Sequence, residues 1–368
     1  MPTTAAKGSL YSAAGLSERK GMGMRRLPIA VVAVSMAAWL SAAALAAGEP
    51  PPTTAHHLAY RPDAIPRSQY MEVQGGDALH PSSIGQDRDY FVAIYSGSTI
   101  GVYYYVASAI CRAMEKNFTK HRIHCVPLRS LGVVSNVSLM EQGRAQFIIV
   151  QSDTNYYAHK GQIKLPGGHS VMSLHNELGA MAVGTESDIQ TPADLRDKRV
   201  NLGSEGTASR ALWLEFLAAQ GLATDDLAEA YSVTQEYNVM GLCGDYIDVF
   251  GLWIGHPAAP FHDAAETCGA RIIGMASPGT DKLLRERSFY FRGDIPANTY
   301  PGQKEAVHSY GFKASLIAYA PVDPYLVYWV TRSIVEEIAT FRSAHPSLSN
   351  IAPREMFEQG NFLPFHPG

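Results

Sequence analysis

The stretch Phe91-Val-Ala-Ile-Tyr-Ser-Gly-Ser-Thr-Ile-Gly-Val-Tyr-Tyr-Tyr105 decides how the chain folds. A short apolar strand, Phe91 to Ile94, runs into a small polar loop, Ser96 to Gly101. A helix follows at once, because Val102, Tyr105, Val106, Ala109, Ile110, Ala113 and Met114 recur at spacings of three and four and share one face. Ser98 or Thr99 is expected to cap it. Strand, small-residue loop and helix N-terminus together make an anion site, since free amide donors and the positive end of the helix dipole converge there. An ordinary strand-to-helix turn has the same ingredients. The same device, however, recurs twice downstream.

One recurrence is Arg199-Val-Asn-Leu-Gly-Ser-Glu-Gly-Thr-Ala-Ser-Arg210, where a strand ends in a glycine-bearing loop before a helix carrying Leu212, Phe216 and Ala219 on one face. The other is Ala145-Gln-Phe-Ile-Ile-Val-Gln-Ser-Asp153, an apolar strand ending in Gln151-Ser152-Asp153. Strands are expected at Ile123–Pro127, Ala145–Val150, Met181–Val183, Val200–Leu202 and Ile247–Leu252, with amphipathic helices between them. That alternation predicts an α/β protein with a parallel sheet and helices on both faces. Thr191-Pro192-Ala193-Asp194 reads as a helix start. In open α/β sheets ligands bind beyond the carboxyl ends of strands, so the three polar loops converge on one cleft. Hydroxyls and free amides there suit a carboxylate without any base or nucleophile.

The chain has 368 residues, 46% of them apolar and 17% charged, enough for two domains and a large core. Residues 1–46 read as a signal peptide: Lys20, Arg25 and Arg26 precede an apolar run from Leu27 to Leu45, and Ala44-Leu45-Ala46 supplies small residues for cleavage. An uncleaved anchor is the competing reading, since a run of about 19 residues just spans a bilayer. Pro28, Ser35, Ser41 and the alanine-rich end favour cleavage and a periplasmic protein. Residues 47–87 read as an extended linker. Beyond residue 46 the chain carries 25 Lys/Arg against 33 Asp/Glu, a net −8 that argues against nucleic acid as a partner.

Four cysteines, at 111, 125, 243 and 268, allow three pairings in an exported protein. The near pairs, Cys111–Cys125 and Cys243–Cys268, are the economical choice. His121, His124 and Cys125 match no closed zinc spacing, so no metal is expected. Neither a nucleophile elbow, a phosphate-binding loop nor a dinucleotide fingerprint is present, and no cofactor or catalytic residue is expected. His256 and Asp153 read as structural. Trp253 stands where a strand ends and either walls the cleft or packs in the core.

Several segments follow one another in a recognisable order: Ile94 to Tyr104, Val150-Gln-Ser-Asp153, Gly203 to Arg210, Gly255-His-Pro257, Ile295-Pro296 through Tyr300 and Gly302, His345-Pro-Ser-Leu348, and Phe365-His-Pro-Gly368. In this order they resemble the extracytoplasmic solute-binding subunit of TRAP transporters, TAXI family, over residues 91–368. The cysteine positions also have counterparts in a branch of that family.

The resemblance implies a type II periplasmic-binding-protein fold, two α/β lobes hinged around a ligand cleft, with lobe 1 at about 88–180 plus 306–368 and lobe 2 at about 181–305. It implies capture of a small carboxylate or amino acid, such as glutamate or a related dicarboxylate, for an ion-coupled membrane permease. Carried over by position, the ligand-binding residues are Ser96, Ser98, Thr99 and Tyr103 in the first loop, with Gln151 and Ser152 in the next. Ser204, Gly206, Thr207 and Ser209 come from the second lobe, and Asn136 ends a further loop. That loop, Leu128-Arg-Ser-Leu-Gly-Val-Val-Ser-Asn136, departs from the family pattern by losing an acid, a glycine and a hydroxyl and gaining Arg129. Glu205 stands where the family has proline.

Two readings compete with transport. One is a sensor that docks on a membrane receptor. The other is an enzyme on the same fold, which predicts a strongly perturbed acid or base in the cleft. Thr207→Val is expected to weaken ligand binding at little cost in stability.

Overall fold

The structure is a computed structural model that describes residues 89–368; the expected leader and the extended segment lie outside the described residues. The chain opens with β1 (Tyr90–Tyr95), α1 (Val102–Lys116), α2 (Phe118–His121), β2 (Ile123–Leu128), α3 (Val133–Glu141), β3 (Phe147–Gln151) and α4 (Ser152–His159). A long strand, β4 (Gly168–Val183), leads to β5 (Arg199–Asn201), α5 (Ala208–Ala219), β6 (Glu229–Tyr231), α6 (Asn238–Cys243), β7 (Val249–Ile254) and α7 (Ala259–Cys268). After β8 (Arg271–Gly274), α8 (Pro278–Glu286) and β9 (Phe291–Ile295), a second long strand, β10 (Val307–Tyr319), returns to α9 (Pro324–Glu336), α10 (Ile338–Ser343) and α11 (Pro353–Glu358).

The sheet runs β2-β1-β3-β10-β4-β7-β5-β6, with β8 also on β4 and β9 also on β10. β1 is parallel to β2 and β3, and β5 is parallel to β6 and β7, so the strand-helix alternation read from the sequence is present in each half. β10, however, runs antiparallel to β3 and β4, and β4 to β7, so the sheet is mixed rather than parallel throughout. β4 and β10 join the halves. β10 pairs with β9 over Val307–Gly311 and with β3 over Ala314–Ala318. β4 pairs with β10 up to Leu178, where β7 takes over through Val183. Two α/β lobes joined by two crossing strands are the expected fold class, and the chain has it.

Local chemistry accounts for the elements. The apolar stripe of α1 buries Val106, Ile110, Ala113 and Met114 completely, and α1 packs against α9. β4 is nearly all buried, as a strand covered on both faces must be. Both near cysteine pairs are bonded, Cys111–Cys125 tying α1 to β2 and Cys243–Cys268 tying α6 to α7.

Three local expectations differ. Neither Ser98 nor Thr99 caps α1; Gly101 holds the cap position and donates its N–H to Ser98 O at 3.3 Å. The strand expected at Met181–Val183 is only the tail of the 16-residue β4, because the polar triplet His175-Asn176-Glu177 masks its apolar run. Thr191–Asp194 starts a single tight turn, Pro192–Leu195, stabilised by Thr191 N donating to Asp194 Oδ2 at 2.8 Å.

Candidate functional site

The loops at the carboxyl ends of β1, β2 and β3 are laced together. Ser96 donates its N–H (2.9 Å) and its hydroxyl (2.7 Å) to Leu128 O. Ser130 Oγ donates to Ser96 O at 3.1 Å, and Asn136 Nδ2 donates to Ser96 O and Ile149 O, both at 2.8 Å. Ser96 and the amide nitrogen of Asn136 thus brace backbone, while Asn136 Oδ1 is buried with no hydrogen-bond partner. Ser152 Oγ accepts from Lys313 N at 3.2 Å and ties α4 to β10. Thr99 and Arg129 are exposed.

The second-lobe loop is built differently. Gly203 and Gly206 both adopt positive φ, +85° and +74°, which favours glycine. A Cβ on Gly203 would also crowd Ser209 at 3.2 Å. Thr207 Oγ1 donates to Ser204 O at 2.6 Å and accepts from Arg210 N at 3.3 Å, so it caps α5. Thr207→Val therefore carries a stability cost that the sequence reading left out. Glu205 and Gly206 are exposed. Among the described residues no hydrogen bond joins this loop to the first-lobe loops.

Between the two sets of loops lies one face of β4. Alternation puts His175, Glu177 and Gly179 on it, and the facing residues of β7, Trp253 and Gly255, point the same way: a Cβ on Gly179 would meet Trp253 Nε1 at 2.7 Å, and one on Gly255 would meet His175 Cδ2 at 2.6 Å. Tyr103, from the first turn of α1, donates its hydroxyl to Glu177 Oε2 at 2.7 Å and stands edge-on to His175. Glu177 is 3% exposed, and its Oε1 lies 4.0 Å from His175 Nε2. Both ring nitrogens of His175 are buried without a hydrogen-bond partner, as are Ser98 Oγ, Gln151 Oε1 and Trp253 Nε1.

This concentration of unsatisfied polar groups is unusual, because buried polar atoms are nearly always hydrogen-bonded. Burial dominates their electrostatics. Glu177 is pushed up to about 8, Asp153 at the start of α4 up to about 6, and His175 down to about 3, which leaves its ring neutral. Asp153 also accepts from Thr154 N and, at 3.1 Å, from Thr154 Oγ1, so it closes the first turn of α4. Its charge opposes that of Glu177.

The structure therefore brings Tyr103 and Trp253 to one strand face and leaves Ser98 Oγ, after β1, and Gln151 Oε1, at the end of β3, buried and unpartnered. It gives Ser96, Asn136, Ser152 and Thr207 bracing roles. Trp253 does both things the sequence left open: its ring packs with Trp213, Phe216 and Tyr310, and its Nε1 edges the β4 face. Glu177 and His175 were missed. Their signal was present, a charged residue and an imidazole inside the otherwise apolar Val171–Val183.

His256 is structural. Its Nε2 bonds to Leu178 O at 3.0 Å, and its Nδ1 bonds to the Tyr300 hydroxyl, which also accepts from Ala258 N at 2.9 Å. Two surface depressions lie away from the β4 face. One of about 420 Å³ is lined by Glu186, Asp188, Lys198 and Asp248 among others, and one of about 520 Å³ by His262 and residues 298–304.

Several solved structures are similar at low identity. The alkanesulfonate-binding protein SsuA from Xanthomonas axonopodis pv. citri, bound to MOPS, is 14% identical over 74% of this chain and 84% of that one, with a TM-score of 0.43. A TctC solute-binding protein from Polaromonas is 14% identical over 70% and 88%, with a TM-score of 0.41. A structure described for glutathione import through GshT and the cystine importer TcyBC of Streptococcus mutans is 11% identical over 73% and 100%, with a TM-score of 0.47. The sequence itself matches a family model over residues 94–368, most of the chain and all three polar loops, and the protein accordingly belongs to the NMT1-like family.

Proposed function

We propose that this protein is an extracytoplasmic solute-binding protein that captures a small carboxylate or amino acid between its two lobes and delivers it to a TRAP-type, ion-coupled permease. The observation that carries the reading is the set of buried, unpartnered polar atoms on the β4 face, where the crossing strands and the strand-end loops meet. A bound solute supplies their missing hydrogen bonds. Closure of one lobe on the other then excludes water, and the ligand shifts the equilibrium by its differential affinity for the closed state. The names of the similar structures, binding proteins for sulfonates and other small solutes, fit the same role. The order of motifs points to the TAXI branch and to a periplasmic location, reached through residues 1–46.

The perturbed Glu177 and His175 also fit a catalytic reading. Against it, Glu177 is hydrogen-bonded among the described residues only to Tyr103, and burial is the largest cause of both shifts. Among the described residues no serine, threonine or cysteine is hydrogen-bonded to a base on this face.

A thermal-shift screen of the purified protein against amino acids, dicarboxylates and 2-oxo acids, followed by calorimetry on any hit, tests the proposal. A concentration-dependent rise in Tm with one-to-one binding and an unchanged ligand is expected. Chemical turnover of the hit would favour the enzyme, and no response to any solute would overturn the proposal.

A further inference from the structure

Glu177 and Asp153 are a buried and a half-buried carboxyl group, the Asp153 charge disfavours ionisation of Glu177, and among the described residues neither is paired with a lysine or arginine. The nearest basic candidates are engaged elsewhere. Lys313 lies on the opposite face of the sheet, donating to Asn176 Oδ1 at 2.9 Å. Arg287 pairs with Glu215 at 3.5 Å, and Arg210 Nη1 donates to Ser232 Oγ at 2.7 Å. A carboxylate buried without a cation is costly, and it is stabilised only when a positive group arrives. Tyr103 occupies one oxygen of Glu177 and leaves Oε1 open. Gln151 Oε1, at the end of β3, is a buried oxygen with no donor.

Resting on the solute-binding reading, we infer that the ligand carries an ammonium group held by Glu177 Oε1, so that the protein selects an amino acid over the oxo acid or dicarboxylate of the same shape. The amine donates to Glu177, while the donors Trp253 Nε1 and Ser98 Oγ remain for the ligand's carboxylate. A dicarboxylate placed here brings no cation to Glu177 and so gains nothing from its ionisation. The groups packed around Glu177 are Tyr103 from α1, His175 from its own strand and Asp153 from α4. The adjoining positions on β7 and β10, Gly255 and Phe312, do not titrate. His345 and Lys313 act on neighbouring His175, but neither forms an ion pair with Glu177 among the described residues.

The test is calorimetry of the purified protein with matched pairs: L-glutamate with 2-oxoglutarate, L-alanine with pyruvate, and L-leucine with 4-methyl-2-oxopentanoate. In the pair that binds, the amino acid is expected to bind about 100-fold tighter, as when a charge-assisted hydrogen bond is lost and its buried partner stranded. Glu177→Gln should weaken the amino acid at least about tenfold and leave the oxo acid unchanged. A second readout needs no variant. At pH 7 the amino acid should displace a proton from Glu177, so its binding heat should change with the ionisation enthalpy of the buffer. An oxo acid bound as tightly as its amino acid, or a buffer-independent heat for the amino acid, would overturn the inference while leaving solute binding intact. Binding by no member of any pair, with no hit in the wider screen, would remove the solute-binding reading together with it.

Discussion

Glu177 keeps its proton in the folded protein at pH values where the unfolded chain has released it, since burial lifts it to about 8. Between its ordinary range near 4.5 and about 8 the native state therefore binds more protons than the unfolded state, and stability falls as pH rises through that window. Asp153, lifted to about 6, acts in the same direction over a narrower range. His175, depressed to about 3, acts in the opposite one: the unfolded imidazole takes a proton below about 6.5, so its contribution is lost as pH falls towards 3. Ligand-free Glu177→Gln should show a flatter decline in Tm between about pH 5 and 8 than the parent protein, measured by calorimetry; an identical profile would show that Glu177 is not buried as described. Asn136 makes a separate prediction. Its amide holds two backbone carbonyls, so Asn136→Ala should destabilise the protein by about 1–3 kcal/mol in urea unfolding.

At the scale of elements, caps and cross-links control the loops. Thr207 caps α5 by accepting from Arg210 N, and Thr207→Val should lower stability by about 1 kcal/mol, roughly 2–4 °C in Tm. Any loss of affinity in that variant must be judged against this cost. The Cys111–Cys125 bond closes a loop of 14 residues between α1 and β2. Replacing both cysteines by serine should cost about 3 kcal/mol if loop entropy dominates. The elements themselves were legible where periodicity was clean: Ile123–Pro127 and Ala145–Val150 lie within a residue or two of β2 and β3. β4 was not, because Ser173, His175, Asn176 and Glu177 break the apolar run at the point where the strand crosses between lobes. Periodicity describes what an element buries against its core and says nothing of polar groups buried towards a cleft. The cap of α1 was missed for a related reason, since the sequence offers Ser98, Thr99 and Gly101 in succession and only backbone geometry chooses among them.

In the whole molecule, β4 and β10 run through both lobes, and their change of neighbours at Leu178 and between Gly311 and Ala314 places the crossing beside Glu177. Three polar loops could be read from strand-loop-helix units alone, whereas the two lobes were implied only by the family resemblance. The floor of the candidate site could not, since it depends on which face of a mid-chain strand turns towards those loops. On the proposed reading, a ligand on that floor would touch Tyr103 from one lobe and Trp253 from the other. The most direct test is hydrogen exchange of the amide groups with and without the solute that gives the largest thermal shift. Binding in the cleft predicts added protection at 96–103, 174–178 and 203–209 together. Protection confined to one lobe, or appearing only around the surface depressions at 184–198 or 298–304, would contradict an interlobe site.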